Sequence, residues 1–109
     1  MKSHYPERLT GKQLLKLVQA LHQQGLTQQK YEGGDDILPY NWHLLELPVQ
    51  WLHAGVEFHE PTARRYAQMK SPMPPIIVNR ELFVLDGFHR YHGARLQGQK
   101  KILVYSPQA

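Results

Sequence analysis

The chain has 109 residues, 41% hydrophobic and 20% charged, a balance that suits one globular domain and excludes a disordered chain. It contains no cysteine, which excludes disulfides, thiolate metal sites, thiol catalysis and thiol redox chemistry, and no apolar run of about 18 residues for a membrane span. Thirteen Lys and Arg against nine Asp and Glu give a net charge of +4, a mild preference for anionic partners. The opening MKSHYPERLTGKQ lacks the apolar core of a signal peptide, so the expectation is a soluble, cytoplasmic protein.

In chain order, residues 1–9 read as a flexible start. Thr10-Gly11-Lys12-Gln13 matches a capping box, and Leu14, Leu15, Leu17, Val18 and Leu21 form an apolar stripe at helical spacing. Gly25 is the expected stop, so a helix is predicted over 11–24, with Lys12 and Lys16 on its solvated face. Residues 26–43 read as irregular, with a turn at Gly33-Gly34-Asp35-Asp36 and with Tyr40 and Trp42 packing the segment onto the core.

From Leu44 the texture becomes β-prone. LLELPVQWL is the first expected strand and HAGVEFHEP a loop, and Pro61 opens a short helix over about 61–70. The proline-rich SPMPP keeps the next strand, IIVN, from starting before Pro75. Asn79-Arg80 turns into a strand ELFVLD. A helix YHGARLQ ends at Gly98, and KKILVYS is the last strand. This order of helix, β, α, β, β, α, β predicts a small α/β (α+β) fold.

The junction Asp86-Gly87-Phe88-His89-Arg90 carries the chemistry. A glycine after a strand lets the backbone turn and a ligand approach, and the following helix aims its free N–H groups and partial positive charge at that point. Arg90 could grip phosphate oxygens in a bidentate way, and His89 could donate to them or exchange a proton near neutrality. Asp86 could hold Mg²⁺ or orient a nucleophile. The alternative is an ordinary turn with Asp86 as a cap and Arg90 in solvent.

PPIIV, the strand ending in LDGFHRY, the helix ending in LQG and the closing ILVYS strand resemble the ParB/sulfiredoxin superfamily over roughly residues 44–107. The Asp-Gly-x-His-Arg turn is closest to its free-serine-kinase branch. The resemblance implies residues 44–109 as a nucleotide-binding domain behind an N-terminal helical extension, residues 1–43. It implies ATP or another NTP with Mg²⁺, phosphates on Gly87, His89 and Arg90, Phe88 as a further cofactor-binding residue that packs under the helix or touches a base, Asp86 as metal or catalytic residue, and His89 as catalytic with Arg90 stabilising the transferred phosphoryl. It also implies a catalytic glutamate in the loop after the first strand, Glu57 or, by preference, Glu60. Phe88 stands where sulfiredoxins carry their cysteine, which excludes sulfinic-acid repair through a thiol.

The leading expectation is therefore Mg-dependent NTP hydrolysis or phosphoryl transfer at the DGFHR turn. One alternative is a non-catalytic, DNA-associated regulator of ParB-like type, bacterial and plasmid- or prophage-linked. The other is a ParB-like nuclease, which lacks a two-metal carboxylate cluster in the sequence. Arg64, Arg65, Lys100 and Lys101 are the candidate nucleic-acid contacts, and residues 1–43 a candidate homodimer or protein-partner surface. Most of Trp51, Phe58, Tyr66, Phe83, Phe88, Tyr91 and Tyr105 are expected in the core. His92 is expected at the surface or in an interface, and a structural metal on the histidines has no ligand motif behind it.

Overall fold

The computed structural model describes residues 5–24, 35–55, 60–68 and 73–108. Five strands form one mixed sheet: β1 (Arg8–Thr10), β2 (Asn41–Pro48), β3 (Ile76–Val78), β4 (Val84–Asp86) and β5 (Lys101–Pro107). Their spatial order is β1-β2-β5-β3-β4. β3 lies parallel to β5, and the other neighbours are antiparallel. Helix α1 (Gly11–Gln23) lies against one face, and α2 (Glu60–Ala67) and α3 (Phe88–Leu96) lie against the other. The α+β expectation holds.

The two-residue period of the strands builds a core on each face. Trp42, Ile77 and Tyr105 pack with Leu14, Val18 and Ile37 on the α1 side. Ile76, Val78, Ile102 and Val104 pack with Tyr66, Tyr91 and Ala94 on the α2/α3 side. Trp42 is buried and satisfies its indole N–H on the Ile37 carbonyl at 2.9 Å.

The capping box forms as read. The Gln13 N–H donates to Thr10 Oγ1 at 3.2 Å and the Thr10 N–H to Gln13 Oε1 at 2.9 Å. Lys12 and Lys16 are exposed, as are Asp35 and Asp36. β3 starts at Ile76, directly after Pro75, and Gly98 takes φ +75 where α3 ends. Gly25, Gly33, Gly34, Glu57, Phe58, His59 and Lys70 lie outside the described residues.

Several expectations need correction. The start of the chain is not loose from residue 5 on. β1 pairs with β2, Leu44 N–H donates to the Glu7 carbonyl at 2.8 Å, and Tyr105 Oη donates to the Pro6 carbonyl at 2.7 Å. The first long strand begins at Asn41 instead of Leu44, because these rungs extend the ladder backward, and it crosses position 43/44. It gives way at Val49–Trp51 to a 3-10 turn.

The ELFVLD strand is only three residues long. Asn79 Oδ1 accepts from the N–H groups of Glu81 and Phe83, both at 2.9 Å, and Leu82 takes φ 66, so a tight turn consumes its first half. Phe83 consequently forms only an isolated bridge to His53 and is 52% exposed. Trp51 is 53% exposed, Tyr40 lies at the surface edge-on to Trp42, and Tyr66, Tyr91 and Tyr105 are buried as expected.

Candidate functional site

Gly87 is the N-cap of α3 at φ 93, left-handed backbone that favours glycine, and it brings no side chain to cap the helix. A Cβ there would lie 2.5 Å from Ile76 Cγ2 and 2.8 Å from an Arg90 guanidinium nitrogen. Strand β4 therefore delivers the chain to a turn that only glycine fits, and α3 starts at the next residue.

The turn uses its charged residues internally. Asp86 is 0% exposed and Arg90 1% exposed. Arg90 Nη2 donates to Asp86 Oδ2 at 2.7 Å, and Nη1 donates to the carbonyls of Pro74 and Pro75 at 3.3 and 3.0 Å. Burial pulls the Arg90 pKa below its ordinary range, and Asp86 opposes that. Arg90 Nε finds no hydrogen-bond partner among the described residues. The expected roles of Arg90 on phosphate and of Asp86 on Mg²⁺ do not fit this geometry. Both groups are enclosed and committed to each other, whereas a magnesium ion needs open oxygens around it. The pair instead ties the first turn of α3 to β4 and to the proline segment. Among the described residues no group of three or more His, Asp or Glu could hold a metal.

What the turn presents outward is Phe88 and His89, both half-buried. The Phe88 ring packs edge-on to His89 at 5.6 Å and to His92 at 4.7 Å, and it lies against Gly55. His92 is buried instead of lying at the surface, and its Nε2 donates to the Gly55 carbonyl at 2.9 Å. Burial lowers its pKa; that hydrogen bond raises it, and Arg95 lowers it further.

α2 lies beside α3. Ala63 and Tyr66 approach Gly93, where a Cβ would lie 2.9 Å from the Ala63 carbonyl oxygen, and Gln97 Nε2 donates to the Ala67 carbonyl. The middle of α3 and the residue after its end thus both face the Ala63–Ala67 stretch of α2. Glu60, the first residue of α2, is exposed and accepts from Arg64 Nε at 2.9 Å.

The four candidate nucleic-acid residues separate. Arg64 pairs with Glu60, and Arg65 lies over the Tyr66 ring at 5.6 Å. Lys100 and Lys101 line a cleft at the C-terminal end of α3, together with Arg95. Arg95 went unremarked in the sequence. Its signal was the i, i+4 spacing from Tyr91, which puts the two on one helix face, and its guanidinium lies 5.9 Å from that ring.

The sequence matches no protein-family model and no curated protein. Among solved structures the chain is similar to a Pnob8-like ParB-N domain, with 23% sequence identity and a TM-score of 0.44. The match covers 60% of this chain and 29% of that chain, so it spans under a third of the solved protein. No described helix is long and apolar enough to cross a membrane.

Proposed function

We propose that this chain is a ParB-like nucleotide-binding domain that takes the phosphates of a nucleoside triphosphate at the first turn of α3. The observation that supports this most is Gly87, whose left-handed backbone turns β4 into the N-terminus of α3 and which itself brings no capping side chain. The partial positive charge of that terminus favours phosphate oxygens. His89 supplies a side-chain donor at the same turn, while Asp86 and Arg90 hold the turn in shape from beneath.

Phosphoryl transfer or hydrolysis is the finer form of this reading. Glu60, exposed at the start of α2, is the carboxylate suited to orient an attacking hydroxyl. No step is assigned to magnesium at Asp86.

The test is calorimetric titration of ATP, ADP and CTP with Mg²⁺ on the wild-type chain and on His89→Glu. Micromolar affinity weakened about tenfold or more by the new carboxylate is the expected result. Equal affinity in both proteins would remove the α3 terminus as the phosphate site. Loss of ATP turnover in Glu60→Gln with binding retained would support transfer chemistry, and unchanged turnover would reject Glu60.

A further inference from the structure

The opposite end of α3 carries a cleft of about 660 Å³, within the ~300–1,000 Å³ common for ligand sites. Three cations line it: Arg95 from the last turn of α3, Lys100 just before β5 and Lys101 at its first residue. No carboxylate is among its lining residues. The remaining wall includes Val49 and Tyr91, both buried.

The backbone that carries these cations is held. Lys101 stands opposite Pro48 in the β2–β5 ladder, and the Val49 N–H donates to the Lys100 carbonyl at 2.9 Å. The Gln99 N–H returns to the Ala94 carbonyl at 3.0 Å, fixing the connection to α3. Three like charges lining one cleft repel one another, and an anion spanning them relieves that repulsion. The dipole of α3 accounts for Arg95 at a helix C-terminus, but it does not account for Lys100 and Lys101.

A second observation extends the surface. Trp51 closes the 3-10 turn whose Val49 and Gln50 line the cleft, and it is 53% exposed. A large exposed aromatic next to a basic groove is the arrangement on which unpaired bases stack while cations follow the phosphates. A duplex keeps its bases paired and stacked, and offers that indole nothing comparable. A mononucleotide would fill the cleft without reaching beyond it.

We infer that this cleft is a contact site for single-stranded nucleic acid, with Arg95, Lys100 and Lys101 on successive phosphates and Trp51 under a base. It is independent of the nucleotide reading, because it lies at the other end of α3 from Gly87.

The experiment is fluorescence anisotropy of a labelled oligothymidylate of about 12 nucleotides, titrated with the full chain over a range of salt. Three phosphate contacts give a slope of log affinity against log salt of about −2. Lys100→Glu/Lys101→Glu should lower affinity more than tenfold and Trp51→Ala about tenfold, with unchanged circular dichroism. His89→Glu should leave this binding intact, which separates its failure from that of the nucleotide site. Three results would each overturn the inference: no binding at low salt, affinity unchanged by the lysine reversals, or a duplex of equal length binding as tightly.

Discussion

The two ends of α3 treat positive charge in opposite ways. At the Gly87 end, Arg90 is enclosed with Asp86 and the Pro74 and Pro75 carbonyls. At the Gly98 end, Arg95 remains exposed beside Lys100 and Lys101. The two arginines lie on one short helix, yet one supports the fold and the other is available to a ligand. Burial makes the difference. A desolvated guanidinium must keep its partners, whereas an exposed one is already stabilised by water and can exchange it for phosphate.

The sharpest way to break this contrast is Asp86→Ala. It leaves Arg90 buried without its carboxylate, and should cost about 3–5 kcal/mol in urea unfolding. A loss below about 1 kcal/mol would mean that water reaches the pair, and the two ends would then be alike. Next comes Gly93→Val, midway between the ends. Its side chain would meet the Ala63 carbonyl and push α2 from α3, at a cost of about 1–3 kcal/mol by the same measurement.

The pH dependence of stability tests the buried side of the comparison. Burial depresses the folded-state pKa of His92, so below its ordinary value near 6.5 the unfolded chain takes up a proton that the folded chain declines. The stability that neutral His92 provides is present above that pH, and is lost as pH falls through the lowered folded value. His92→Gln should flatten that part of the profile in urea titrations between about pH 7 and pH 5. An unchanged slope would assign the dependence to other groups.

The smallest effect belongs to the exposed end. Lys100→Glu/Lys101→Glu should alter unfolding free energy by no more than about 0.5 kcal/mol per substitution. A larger loss would show that these lysines hold the β2–β5 ladder, and would weaken their assignment to a ligand.

Much of the fold was legible because its signals act over one or two turns. Thr10 and Gln13 satisfy each other's backbone across three residues wherever the rest of the chain goes. Pro75 forbids an earlier ladder bond, and Gly87 supplies a left-handed residue between strand and helix. The DGFHR turn could therefore be located from sequence, and so could the α+β class. The exposure of Phe83 could not, because alternation with Leu85 implies a strand, and the Asn79 side chain instead wound its start into a turn.

The roles within the site were the least legible part. Local sequence specified a charged turn at 86–90, but whether Arg90 faces a ligand or the interior depends on Pro74 and Pro75, at least fifteen residues away in the chain. The cleft is built from β2, α3 and β5, whose lining residues meet only when the ladder closes. Sequence by itself determined the caps, the turns and the alternation of apolar residues, since these follow from steric and hydrogen-bonding preferences of neighbouring residues. Tertiary structure alone decided which charges lose water and which keep it, because desolvation depends on what packs against a residue from distant parts of the chain.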